Sequence, residues 1–483
     1  MTFNSWEFLI FYPIVAALYF LLPKKLKWPM LLIASYYFYA FYQAELLFLI
    51  ILTTAVSFFM SHLIERTEKT GLRKLYLALT LVVCLGVLFF YKYFNFIGSS
   101  ISGIIALFGK EPPSIVLDLV LPVGISFYTF QTLSYVIDVY RGDIKTEKNI
   151  FFYALFVSFF PQLVAGPIER PGNLIPQLRE YHEPKRENFI RGGKQMLLGF
   201  FKKICVADLV SSYVSAVYNS AEEATSLAVV LATLMFAVQI YCDFSGYTDI
   251  ATGCARVMGI RLMKNFDHPY SASTVKEFWS RWHISLSGWF KDYLYIPLGG
   301  SRRSPARNML NVFIVFLVSG LWHGANWTFV VWGALHGLYR VVGTLTIEKR
   351  NALVRRAGFT PESKLVLAVR RVFTFILVSL AWIFFRANSI SDAFTLIGAL
   401  FTDFAPVGVA FSSMNLDTVS AFLIVFAIAV MVILDRAVLY GEDDGSDMLV
   451  RDGAFIYFVL AIMLVWLLLL SRGQSSTFIY FQF

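Results

Sequence analysis

The sequence predicts an all-α polytopic membrane protein, and three observations predict it. Of 483 residues, 58% are hydrophobic and 15% charged, whereas soluble domains average about 25% charged residues. Mean hydropathy is +0.64. Apolar runs recur along the whole chain, at about residues 7–23, 28–42, 46–64, 75–97, 115–139, 150–166, 226–243, 308–322, 327–344, 366–386, 418–435 and 454–471. Water is not the main solvent for such a chain. One membrane domain over residues 1–483, ending in a tail at 472–483, uses the length without leaving a linker.

The first run follows Glu7 rather than a basic segment, and no small-residue cleavage pattern comes after it, so it reads as a retained helix. The loop holding Lys24, Lys25 and Lys27 is basic, 43–45 is not, 65–74 is basic, 98–114 carries Lys110 alone, and 141–148 is basic again. Basic loops stay in the cytoplasm, and the alternation places the N-terminus outside. Several runs fall short of the roughly 20 residues of a straight span. They imply tilted or re-entrant helices around a hollow, because irregular backbone at membrane depth persists only where protein or water satisfies it. Over 167–218 and 261–305, aromatic and charged residues mix at helical spacing, as in Phe278, Trp282 and Trp289 beside Arg281, Lys291 and Asp292. That is the pattern of interfacial helices with tryptophans at headgroup depth.

The net charge of +9 does not point to nucleic acid, because the cations sit in short clusters between apolar runs and form no groove-reading stripe. Membrane lipid is the expected surrounding. Cys84, Cys205, Cys242 and Cys254 form no CxxC pair and lie in or beside apolar segments, as buried thiols do; no metal site and no bound cofactor are expected.

The stretch 314–337, IVFLVSGLWHGANWTFVVWGALHG, carries most information about chemistry. His323 sits between two apolar runs beside Trp322 and Asn326, and an ionisable group at that depth is a functional candidate. Kept from water, its imidazole stays neutral, as a general base must. Gly320 and Gly324 leave room for a substrate chain. The competing reading is a histidine that only bonds a carbonyl between packed helices. His336 has the weaker case, since it could equally cap the segment near Tyr339 and Arg340. In 276–302, most residues read as an interfacial anchor, and His283 is the exception, placed at the mouth of the site. Asp243 and Asp249, in QIYCDFSGYTDIATG, fit buried ion pairs or a funnel lining.

These stretches resemble the membrane-bound O-acyltransferase (MBOAT) family, in its bacterial alginate O-acetylation (AlgI-like) branch, which is related to PatA and DltB. The likeness also rests on LPVGISFYTFQTLSYVIDVYRG (121–142), FFPQLVAGPIERP (159–171), QIYCDFSGYTDIATG (239–253), SGLWHGANW (319–327) and AWIFFRA (381–387), in order along nearly the whole chain. The resemblance implies about eleven or more transmembrane helices around a central funnel, with His323 as the catalytic base and His283 at the family's second signature position. It also implies an acyl, and specifically acetyl, transfer from acetyl-CoA or an acyl carrier thioester toward an extracytoplasmic polysaccharide. An SGNH-hydrolase-like partner outside a bacterial cytoplasmic membrane would complete it. IPLGGSR (296–302) favours acetyl over D-alanyl transfer to teichoic acid.

An activated thioester needs geometry, a base and oxyanion stabilisation. With a hydrocarbon core about 30 Å thick, a base near its middle is within reach of a thin carrier arm on one side and an acceptor on the other. Here His323 would take the acceptor proton, and His283, Asn326 or backbone amides would hold the oxyanion. The terminus SSTFIYFQF resembles the aromatic motif of the small partner of the D-alanyl-transferring branch, which makes Tyr480 a candidate acyl carrier; an interfacial aromatic anchor explains it equally. A transporter would also use broken helices, yet no matching halves are visible. A non-catalytic scaffold would tolerate replacement of His323.

Overall fold

The computed structural model describes residues 1–111, 116–164, 166–439 and 478–479. Among them every regular element is helical. Seven helices among the described residues are long and apolar enough to cross a membrane: Ala44–Arg66, Thr70–Leu107, Ser226–Val257, Pro305–His323, Trp327–Arg356, Lys364–Arg386 and Thr418–Asp435. Trp6–Leu21 and Ile390–Thr402 are apolar but shorter. At 38 residues, Thr70–Leu107 is about 57 Å long and overreaches a hydrocarbon core of about 30 Å. The apolar run at 454–471 and most of the 472–483 tail lie outside the described residues.

Helix starts follow local chemistry. Ser304 caps Pro305–His323 and Asn326 caps Trp327–Arg356, each side-chain oxygen accepting from an otherwise orphaned backbone N–H, and Pro305 fills the first helical position. Two apolar runs are shorter as helices than as sequence. The 115–139 run becomes helical only at Ile125, after Pro122 and Gly124. Gly124 has φ +73°, and a Cβ there would lie 2.6 Å from the Leu163 carbonyl oxygen, so both the turn and the contact require glycine. The 150–166 run breaks at Phe159 into Ile150–Ser158 and Phe160–Leu163, with Pro161 in the first turn of the second piece.

The residues group into two units. The first comprises Met1–Met196 with Ile250–Met263, and the second Leu197–Asp249 with the described residues from Lys264 onward. In the first, Leu47–Arg66 packs on Thr70–Leu107 and Ile125–Arg141, and Lys24–Gln43 packs on Ile150–Ser158. Tyr12 donates to the Cys254 carbonyl at 3.0 Å, and all four cysteines are buried free thiols. Large apolar side chains such as Phe48 and Val82 stay exposed, as a lipid solvent permits.

The second unit holds most of the chemistry-bearing residues. Its Pro305–His323 and Trp327–Arg356 helices make the most extensive helix pairing among the described residues. Small residues let their backbones touch: a Cβ on Gly320 would lie 2.3 Å from the Phe329 carbonyl oxygen, and one on Gly333 2.4 Å from that of Phe316. Gly320 and Gly324 therefore serve contact with Phe329 rather than room for a substrate, because the protein already fills the space their side chains would take. Phe201–Ala207 widens into a π-helical turn that buries Lys202 and Lys203.

Candidate active site

His323 is the last residue of its helix, and Gly324 turns the chain into extended backbone. The imidazole is 2% exposed. Its walls are rings: Trp322 and Trp332, each at 5.0 Å between centroids, Phe385 at 5.6 Å and His283 at 6.4 Å. Aromatic side chains thus surround the imidazole closely in this structure.

His283 joins two short helices, Val275–Arg281 and Ile284–Phe290, at φ +45° and ψ 55°. A left-handed conformation at a non-glycine residue is held only where surrounding contacts over-determine it. Those contacts are visible. The Asn265 Oδ1 accepts from the Ser285 backbone N–H at 3.3 Å and from the Ser285 hydroxyl at 2.9 Å, and it lies 3.1 Å from His283 Nδ1. A backbone N–H can only donate, which fixes Oδ1 as the carboxamide atom facing this group. Nδ1 of His283 must then donate, and Nε2 is the nitrogen bearing the lone pair. Burial pushes the His283 imidazole down to about 3. The ring is thus a neutral acceptor at physiological pH.

Trp322 flanks both histidines, 6.0 Å from the His283 ring and 5.0 Å from the His323 ring. His336 is fully buried and accepts at Nδ1 from Trp279 Nε1–H at 3.1 Å, so its own proton is on Nε2; it reaches His323 through Trp332, 4.9 Å away. Asn326 is engaged at both ends of its carboxamide, accepting from Thr328 N–H at 3.0 Å and donating to the Asn388 carbonyl at 3.4 Å. The Trp332 indole N–H is buried and finds no acceptor among the described residues. Tyr480 lies outside the described residues.

Asp243 and Asp249 are both in buried ion pairs. Lys203 bridges Asp243 at 2.7 Å and Asp208 at 2.8 Å, while Lys202 pairs with Asp249 at 2.9 Å and with Asp435, which also accepts from the Tyr241 hydroxyl. Phe478 stacks on Tyr247 at 4.1 Å, and the Ile479 N–H donates to Asp243 at 2.7 Å. Sequence reasoning missed Asn265, Trp332 and the two lysines. Only the lysines left a signal, as adjacent cations inside an apolar stretch. No cluster of three or more His, Cys, Asp or Glu side chains able to hold a metal ion occurs among the described residues.

The model of the MBOAT, membrane-bound O-acyltransferase family, matches residues 31–391, a span containing both histidines. The chain is 39% identical over 404 residues to the probable alginate O-acetylase AlgI of Azotobacter vinelandii, covering 83% of this chain and 78% of that protein. It is 33% identical over 426 residues to a peptidoglycan O-acetyltransferase of Helicobacter pylori, with 81% and 78% covered. To a teichoic acid D-alanyltransferase of Streptococcus thermophilus it is 28% identical over 286 residues, with 54% and 68% covered.

Proposed function

The chain belongs to the membrane-bound O-acyltransferase family, and from that premise we propose that it passes an acetyl group from a cytoplasmic thioester to a hydroxyl, for O-acetylation of an extracytoplasmic polysaccharide. The AlgI and peptidoglycan O-acetyltransferase relatives support this acyl group and acceptor class. The protein is a multi-pass membrane enzyme. We place it in a bacterial cytoplasmic membrane with the N-terminus outside, supplied by acetyl-CoA or an acyl carrier thioester and working with an SGNH-hydrolase-like partner on the outer face.

The observation that carries the mechanism is the buried pair His323 and His283, 6.4 Å apart in one ring-lined chamber, with the proton of His283 assigned by Asn265. In this reading the hydroxyl attacks the thioester carbonyl while His323 takes its proton. The C–O bond forms, the oxyanion collapses, the C–S bond breaks, and the thiolate leaves with the proton that His323 returns. Neutral His283 cannot donate to the oxyanion from Nε2. At 6.4 Å between ring centroids it does not hydrogen-bond His323 directly, and as an uncharged, acceptor-bearing ring it favours the imidazolium formed at His323 through space. The oxyanion falls to the Trp332 indole N–H, a buried donor 5.0 Å in ring centroid from His323. Asn326, with both polar ends engaged, holds the helix start behind the base.

Tyr480 follows Ile479 in the chain and is proposed as the first acceptor, its phenol carrying the acetyl group as an ester until the partner removes it. Reconstitution with labelled acetyl-CoA tests the whole reading. Label should appear on acceptor and, under trapping, on Tyr480, and His323→Ala should abolish transfer while leaving expression and thermal stability intact. Undiminished transfer by that variant removes His323 as the base. Label delivered only from a D-alanyl thioester would move the protein to the teichoic acid reading.

A further inference from the structure

We propose that Asp243 is a positioning residue that fastens Phe478 and Ile479 beside His283. Asp243 is buried near the middle of the Ser226–Val257 helix. One of its carboxylate oxygens lies 2.7 Å from Lys203 Nζ, and the other accepts from the backbone N–H of Ile479 at 2.7 Å, a contact spanning 236 residues of sequence. A carboxylate needs several donors when it leaves water, and a lysine shared with Asp208 supplies only part of them. The backbone N–H of Ile479 supplies another, and a charge-assisted bond of this kind is among the stronger ones available to a peptide group.

The neighbouring side chain makes the attachment specific. Phe478 is 1% exposed, lies at 4.1 Å and 26° on the Tyr247 ring, and packs against Phe244 at 6.1 Å. Phe244 in turn meets the His283 ring edge-on at 4.6 Å. Asp243, Phe244 and Tyr247 occupy positions i, i+1 and i+4 of one helix, so a single helix reads both the backbone and the side chain of the arriving segment. Phe478 and Ile479 are thereby held one ring away from the catalytic chamber, and the residue after them in the chain is Tyr480. The inference deepens the function proposed above, because it concerns how the Phe478–Ile479 segment is held against that same site. It does not depend on whether Tyr480 carries an acyl group.

Hydrogen exchange at the Ile479 amide, read by mass spectrometry on the full chain in lipid nanodiscs, tests it. The native protein should protect this amide. Asp243→Ala should speed its exchange about tenfold or more, the worth of one charge-assisted hydrogen bond. If Asp243→Ala does not fold, Phe478→Ala decides. That variant removes the stacking on Tyr247 without touching an ion pair, and it should accelerate exchange at Ile479 while thermal stability stays within a few degrees. In the transfer assay it should lower kcat with the thioester KM unchanged. Exchange at the free-peptide rate in the native protein, or equal exchange in the native protein and Phe478→Ala, overturns the proposal. Because exchange needs no turnover, faster exchange without any acetyl transfer would leave this attachment standing and sink the enzymatic reading instead.

Discussion

Replacing Asn265 by aspartate keeps the acceptor that faces His283 and Ser285 and gives up only the long 3.4 Å bond its Nδ2 donates to Thr248. A carboxylate oxygen can accept the same bonds from Ser285 N–H, Ser285 Oγ–H and His283 Nδ1–H, now 2.9 to 3.3 Å long, but it adds a negative charge against the imidazole. At about 4 Å and an effective dielectric of about 20, that charge is worth about 4 kcal/mol. Dividing by about 1.36 kcal/mol per pH unit, the His283 pKa should climb from about 3 to about 6. In the native protein His283 stays a neutral acceptor throughout the working range, and the rate should show no acid limb from this residue. In Asn265→Asp the acceptor nitrogen becomes protonated below pH 6, and the initial rate of acetyl transfer at pH 5 should fall to about a tenth of its plateau. The assay is a pH–rate profile in nanodiscs between pH 5 and 8 with saturating labelled thioester. A variant profile that superimposes on the native one would refute the assignment of His283 as a neutral acceptor oriented by Asn265.

Two further predictions concern stability. Gly320→Ala sets a methyl group 2.3 Å from the Phe329 carbonyl oxygen and should cost about 1–3 kcal/mol as overpacking. Gly343→Ala, with nothing within 4 Å of the added carbon, serves as the control, and equal thermal midpoints for the two would contradict the contact. Glu169 accepts from Asn173 at 2.7 Å and from the Met263 N–H, and burial pushes its carboxyl up from 4.5 to about 7. Protonation of this group therefore favours the folded chain. The contribution is complete below pH 4.5 and is lost as pH rises through 7, about 3 kcal/mol in all. The thermal midpoint of the native protein should fall across that window relative to Glu169→Gln, and parallel curves would rule the effect out.

What could be read from sequence follows from the range of the interactions. His323 stands out in the sequence because an ionisable group between two apolar runs is costly to bury, and the same argument reaches Lys202 and Lys203. The partners were not visible: Asp435 lies 233 residues from Lys202, and no periodicity links them. Asn265 was silent for a different reason. A lone asparagine between Lys264 and Phe266 reads as loop, and its meaning comes from His283 and Ser285, 18 and 20 residues further on. Asn326 is legible in principle, since an asparagine directly before an apolar helical run marks a helix start; its nearness to His323 in the sequence suggests chemistry as well. The short runs correctly signalled irregular backbone, but Pro122, Gly124 and Pro161 determine where it falls.

The glycine contact between the helices that end at His323 and begin at Trp327 also bears on how the enzyme meets different lipids. Interleaved long side chains can slide by rotamer changes, whereas two backbones touching at Gly320 and Gly333 have no such cushion. A bilayer that grows thicker or thinner can tilt this pair but not shear it. The depth of the imidazole is then a property of both helices together, and lipid composition should alter how far each substrate travels to reach it rather than the geometry it finds on arrival.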